Sequence, residues 1–269
     1  FVIYVNMLTW PVTSIGWVSS IIQKAAVSQQ RINEFLNTHS EVKSGNLKLD
    51  EQQSISIKFN CVSFTYPESG IKALEDVSFF VPAGTSLGIT GKTGSGKSTI
   101  ALLIARLYDV DEGEILINDI NIKAYDLHSL RNIMGYVPQD VFLFSESIYN
   151  NIVFGLNEDK KANQKQVDDV AQASDILENI KGFTQGYDTM IGERGITLSG
   201  GQKQRLSIAR ALIKNPEILI LDDCLSAVDT STENRILNNL KVRLKNKTAL
   251  YISHRISTVQ HANQLIVIA

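Results

Sequence analysis

The sequence predicts an α/β fold: a parallel sheet with flanking helices, carrying an antiparallel β subdomain and a helical insertion, behind an uncharged N-terminal helix. Three observations predict it. The run Ile218-Leu219-Ile220-Leu221 is continuously apolar, the pattern of a central parallel strand covered on both faces. A glycine-rich loop at 91–99 lies between a short apolar strand and an amphipathic helix. Ile55, Ile57 and Phe59, then Val62, Phe64 and Tyr66, alternate with polar neighbours as half-buried strands do. With 269 residues, 43% hydrophobic and 20% charged, the chain can bury a sizeable core in one large domain or two small ones.

The N-terminal element comes first. Residues 1–23 carry no charge, and Lys24 is the first ionic side chain. The run is long enough to cross a bilayer as a helix. Asn6, Thr9, Pro11, Thr13, Ser14, Gly16, Ser19 and Ser20 interrupt it, which suits a helix packed inside a transmembrane bundle or lining a cavity. A buried helix of a soluble domain is the competing reading; a signal peptide lacks its basic start. The helical pattern continues to residue 36, giving a helix of about 54 Å against a hydrocarbon core of roughly 30 Å. Lys24 and Arg31 therefore belong at a cytoplasmic end. Residues 37–53 are polar, carry Gly45, show no periodicity and read as a linker. Strands follow to Tyr66 and Pro67, and again through Leu74, Val77, Phe79 and Val81. The chain starts on Phe1 and ends in what reads as a strand cut short at 266–269, so a fragment is expected at both ends.

The loop Gly91-Lys92-Thr93-Gly94-Ser95-Gly96-Lys97-Ser98-Thr99 fits G-x-x-x-x-G-K-S/T, the phosphate-binding loop of a P-loop NTPase core. Glycines at 91, 94 and 96 let successive N–H groups turn into one concavity for phosphate oxygens. Lys97 supplies an ammonium for the β- and γ-phosphates, and the Ser98 hydroxyl is a ligand for Mg2+. The strand at 85–90 and the helix at 99–108, with an apolar face of Ile100, Leu103, Ile104 and Leu107, supply the context the motif needs. A glycine-rich turn that binds nothing has no use for lysine, hydroxyl and helix in register.

Beyond it, Asp111-Glu112-Gly113 turns the chain into a strand at 114–117. Asp126 is placed to cap a short helix through Ile133, and residues 135–138 form a strand running into Gln139. From 140 to 197 the pattern is mostly helical. Leu198-Ser199-Gly200-Gly201-Gln202 then opens a helix through Lys214, with Ser199 and Gln202 in capping-box spacing. Two glycines in a first helical turn cost roughly 1 kcal/mol each relative to alanine. They make sense if a second anion approaches bare backbone here. The apolar run 218–221 ends in Asp222-Asp223, at the sheet edge where α/β folds bind ligands. Ser226-Ala227-Val228-Asp229 begins another helix, and a strand at 248–252 ends in Ser253-His254 on the same edge. A lone histidine is usually structural, and so is a lone tyrosine such as Tyr66 at a strand end.

A net charge of −2 and interrupted lysine runs give no reason to expect a nucleic-acid partner. Cys61 and Cys224 make no disulfide framework or metal spacing and read as reduced packing residues.

Together these segments resemble the nucleotide-binding domain of an ATP-binding cassette (ABC) transporter, over roughly residues 55–269. The pentapeptide at 198–202, downstream of the phosphate loop and ahead of the strand ending in Asp222, carries that resemblance. The uncharged helix is similar to the last membrane helix of an exporter-type half-transporter, in a plasma or inner membrane with the domain on the cytoplasmic side. The resemblance implies ATP and Mg2+ as ligands. It makes Tyr66 the adenine-stacking aromatic, Lys97 the phosphate lysine, and Ser98, Gln139 and Asp222 the Mg2+ side. Gly192-Glu193-Arg194-Gly195 resembles the loop that senses the coupling helices. Asp223 stands at the catalytic-base position, Asp229 at the D-loop aspartate and His254 at the switch histidine. It further implies a head-to-tail dimer in which Leu198, Ser199, Gly200, Gly201 and Gln202 complete the partner's ATP site.

The departure is Asp223, where the family normally has Glu. The carboxylate is withdrawn by about 1.5 Å, and a misplacement of roughly 1 Å can cost about 10²-fold. With the pentapeptide intact, the resemblance implies a heterodimer whose other half carries the Glu; the retained His254 argues against full degeneracy. The cargo, whether drug, lipid or peptide, is not encoded here. A soluble ABC ATPase of repair or translation type is the alternative.

Overall fold

The computed structural model describes residues 1–38, 40–50, 53–156, 161–192 and 198–268. They divide into two units, Phe1–Glu41 and Val42–Ala269. The first is a single helix, α1 (Val2–Leu36), with Pro11 inside it and no buried residue. Its hydroxyls turn back on the helix's own carbonyls: Thr9 donates to Val5 O at 3.0 Å and Thr13 to Thr9 O at 2.9 Å. Among the described residues no helix is long and apolar enough to cross a membrane. The polar residues between 6 and 20 dilute the apolar ones.

The second unit holds two sheets. The antiparallel sheet has the order β2-β1-β4-β5, from β1 (Ile57–Thr65), β2 (Lys72–Val81), β4 (Glu112–Ile117) and β5 (Ile120–Asn121). The two alternating runs expected at 55–66 are one strand with an irregularity. Cys61 takes φ 47°, and the pairing with β2 slips between Phe59 and Val62, so the alternation restarts out of phase.

The other sheet is parallel, in the order β6-β7-β8-β3-β9. Its strands are β3 (Ser86–Gly91), β6 (Met134–Val137), β7 (Ile218–Asp222), β8 (Thr248–Ile252) and β9 (Gln264–Ile268). Every residue of β7 is buried. Leu219 and Leu221 pack into the core of the helical side, and Ile218 and Ile220 into the core shared with the antiparallel sheet. Parallel strands bring their C-terminal ends to one edge. Gly91, Val137, Asp222 and Ile252 therefore end together, and the loops they lead into carry the motif residues.

Helices follow the expected order. α2 (Lys97–Ile104) leaves the glycine-rich loop, but it stops four residues short of the expected 108. Arg106 adopts φ 52° and turns the chain, so Leu107 is exposed rather than on the apolar face. α3 (Leu127–Asn132) is capped by Asp126, which accepts from Ser129 N at 2.8 Å. The helical part holds α4 (Ile148–Val153), α5 (Gln164–Ala173), α6 (Leu177–Gly182) and α7 (Gly200–Leu212). α8 (Thr230–Arg243) and α9 (Ile256–Val259) complete the set.

The stretch read as a linker from 37 to 53 is in large part docked. Gly45 N donates to Tyr125 O at 2.9 Å, and Asp126 N donates to Leu47 O at 2.8 Å. Arg106, 2% exposed, reaches Lys43 O at 2.7 Å and Asp109 at 3.1 Å. Lys43, Gly45 and Leu47 take part through backbone atoms, so the docking leaves no periodicity in the sequence.

Candidate functional site

β3 delivers the chain into the glycine-rich loop, and α2 leaves it with Gly96 as its N-cap. Gly96 needs to be glycine twice over: its φ is 87°, and a Cβ there would lie 2.2 Å from Ala73 O. Lys97, 6% exposed, donates from Nζ to Gly91 O at 3.0 Å and Lys92 O at 2.6 Å, which keeps the ammonium inside the loop's curve. Burial pushes its pKa below the usual lysine value, against the pull of Asp223 and Asp222. Ser95 Oγ is buried with no partner among the described residues.

Across the edge, Ser98 Oγ donates to Asp222 Oδ1 at 2.9 Å, and Tyr136 OH donates to Oδ2 at 3.4 Å. Burial pushes the Asp222 carboxyl up, opposed by the bonds from Ser98 and Tyr136. Asp223 sits in the left-handed region at φ 45°, which Asp tolerates better than longer side chains, and its Oδ1 accepts from Ser253 Oγ at 3.1 Å. A cavity of about 280 Å³ opens over these groups, lined among others by Tyr66, Thr93, Gly94, Lys97, Thr99, Gln139, Asp223 and His254. Tyr66 OH lies 2.9 Å from Thr99 Oγ1, and its ring meets Phe64 and Tyr108 edge-on. Core packing and a cavity-facing edge therefore coexist in Tyr66. A larger cavity of about 450 Å³, at the starts of β3 and β8, contains none of the motif residues.

The donor set suits a phosphate ester with a hard cation. A buried hydroxyl without a partner among the described residues (Ser95) and an ammonium belong to the same loop, with a Ser–Asp oxygen pair beside the ammonium. No cluster of three or more His, Cys, Asp or Glu that could hold a metal ion occurs among the described residues. Such a cation would therefore draw its remaining ligands from phosphate and water, as Mg2+ does.

The second helix start lies apart from this cavity. Ser199 caps α7 in a capping box: Ser199 Oγ accepts from Gln202 N at 3.3 Å, and Gln202 Oε1 accepts from Ser199 N at 2.9 Å. One of its two glycines has a reason inside the chain, because a Cβ on Gly201 would lie 2.9 Å from Ala227 O. Gly200 meets nothing closer than 3.4 Å, so the argument from an approaching anion rests on Gly200. Gln204 of α7 donates to Ser226 Oγ at 3.2 Å and accepts from Ala227 N at 3.0 Å, fastening the 226–229 loop to the same helix. Asp229 caps α8 through Thr232 N at 3.0 Å, three residues after the expected helix start at Ser226. Its carboxyl is held well below the usual range by Ser231 and Thr232. Ser199, Gly200, Ala227 and Asp229 form an exposed surface, and none of residues 198–202 lines the Lys97 cavity. Of the coupling-loop candidates, Gly192 is described; Glu193, Arg194 and Gly195 lie outside the described residues.

Tyr136, Ser253, Glu233 and Arg255 touch this machinery without belonging to any motif. Their only signal is strand and helix pairing across the chain, such as Met134 beside Ile218, which sequence spacing does not carry.

A family model described as ABC transporter matches residues 74–226. A probable multidrug resistance ABC transporter ATP-binding/permease protein of Bacillus subtilis is 42% identical over 267 residues, covering 99% of this chain and 45% of its own length. An ATP-dependent lipid A-core flippase of Haemophilus ducreyi is 42% identical over 258 residues, covering 96% of this chain and 44% of its own length. A solved bacterial Atm1-family ABC exporter with ATP bound superposes with a TM-score of 0.85 at 38% identity, over 99% of this chain and 46% of that one. The chain thus spans about half the length of the curated relatives it matches.

Proposed function

The chain belongs to the ABC transporter family, and on that footing we propose that it is the ATP-binding and ATP-hydrolysing half of an exporter. The observation that carries this reading is Lys97, held inside the glycine-rich loop beside the Ser98–Asp222 pair. In this reading Tyr66 faces the adenine, the loop 91–99 cradles the phosphates, and Ser98, Asp222 and Gln139 serve Mg2+. Held there, Mg2+ would supply charge neutralisation at the phosphates. Asp223 orients the attacking water and His254 contacts the γ-phosphate from the facing strand end.

The separation of the two helix starts supports a site shared between two chains. Ser199, Gly200 and Asp229 of one chain would close over the Lys97 cavity of the other. ATP binding then draws two domains together, and hydrolysis releases them. The short Asp223 carboxylate, already engaged by Ser253 Oγ, supports slow hydrolysis at this chain's own site and a heterodimer whose second half carries Glu. α1 is proposed as the end of the membrane domain, packed among other helices that shelter its polar residues. A relative named for multidrug resistance and one named for lipid A-core flipping support drug-like or lipid cargo.

The test is ATP turnover in vesicles containing the chain and its second half. Wild type is expected to hydrolyse Mg-ATP, and Lys97→Ala is expected to lose at least about 10²-fold of the rate at this chain's own site, read in a single turnover. Equal rates for both would refute the reading.

A further inference from the structure

Glu233, on α8, is fully buried, yet no motif claims it. Its Oε2 accepts from Arg255 Nη1 at 3.0 Å, and its Oε1 accepts from Ser257 Oγ at 3.0 Å and from the Thr258 hydroxyl. Arg255 follows His254 directly and has a second set of partners. Its Nη2 donates to Ser226 O at 2.6 Å and its Nη1 to Val228 O at 3.1 Å. Its backbone N–H donates to Ser253 Oγ at 3.0 Å, the hydroxyl that holds Asp223 at 3.1 Å.

Arg255 therefore ties three pieces of chain: its guanidinium holds the loop entering Asp229 to the His254 loop, and its backbone N–H reaches the Asp223 carboxylate through Ser253. A planar fork of five N–H donors serves a carboxylate and two carbonyls at once in one fixed plane, which a rotating ammonium does not impose. Glu233 fixes the plane of that fork from the protein interior. We propose that Glu233 is a positioning residue for the ATP site: through Arg255 it sets the spacing between the loop that carries Asp229 and the loop that carries His254. In a shared site Asp229 serves the partner's nucleotide and His254 this chain's own, so the clamp makes the two sites change together. This rests on the ATPase reading above.

The test is steady-state ATP hydrolysis and equilibrium Mg-ATP binding on the intact assembly, comparing wild type with Glu233→Gln, which keeps the volume and removes the charge. Turnover per folded molecule is expected to fall at least about tenfold. KM and affinity should stay within about twofold, because the loop 91–99 is untouched. A role confined to stability would lower the folded fraction and leave turnover per folded molecule unchanged. Unchanged turnover, or affinity falling in step with it, overturns the proposal. If Glu233→Gln does not fold, Arg255→Lys decides by the same criteria: it keeps a cation beside Glu233 but lacks the fork for Ser226 and Val228. Wild type without binding or turnover overturns the ATPase reading and this proposal with it. Wild-type turnover matched by both variants overturns this proposal alone.

Discussion

The hydroxyl of Ser98, at the start of α2, donates to Oδ1 of Asp222, at the end of β7, at 2.9 Å across 124 positions of sequence. This bond joins the phosphate loop to the acidic strand end. Ser98→Ala removes one of the two hydroxyls that bond the buried carboxylate among the described residues, and with it the proposed cation ligand. The Mg2+ concentration needed for half-maximal ATP binding is expected to rise about tenfold. ATP binding in excess chelator should be unchanged, which a titration in both conditions checks.

Asp223→Glu lengthens the reach of the carboxylate by one methylene. Single-turnover hydrolysis at this chain's site is expected to rise by about tenfold or more, with nucleotide affinity unchanged. No gain in a folded variant would mean that the reach of the carboxylate does not limit the site.

Arg106 holds the 43–49 segment to the body of the domain through Lys43 O, while bonding Asp109. Arg106→Met strands several carbonyls inside the fold, and a loss of about 2–3 kcal/mol is expected in denaturant unfolding. Limited proteolysis should cut first between residues 43 and 49. Cleavage elsewhere at wild-type rates would show that the segment is held by other means.

Burial pushes the Lys214 ammonium down to about 8, with Arg131 O its bonding partner at 2.8 Å. The folded chain therefore holds this proton less tightly than the unfolded chain. Between about pH 8 and the ordinary lysine value near 10.5, the unfolded state binds more protons, and stability from this group rises with pH. Lys214→Met should melt a few degrees higher than wild type at pH 7, with the difference shrinking as pH climbs through that window. A constant difference would show that the shift is absent.

Much of the site was legible because its chemistry is local in sequence. The loop 91–99, the Ser199–Gln202 box, and the strands β7 and β8 each declare themselves within ten residues. What escaped was made by contacts between distant segments. The Cys61 irregularity, the end of α2 at Arg106 and the docking of 43–49 follow from tertiary packing and leave no period to read. Gly201 shows the converse: its absent side chain, read as room for an anion, is also demanded by Ala227 of the same chain. Buried Glu233 looks in sequence like any surface acid of a polar helix, since only the fold brings Arg255 to it.

Mg-ATP affinity of wild type against Lys97→Ala, measured by calorimetry, bears most directly on the phosphate cradle. Tight wild-type binding that weakens at least about 10²-fold in the variant is the predicted result. No binding by wild type, or equal affinity in the two proteins, would contradict it.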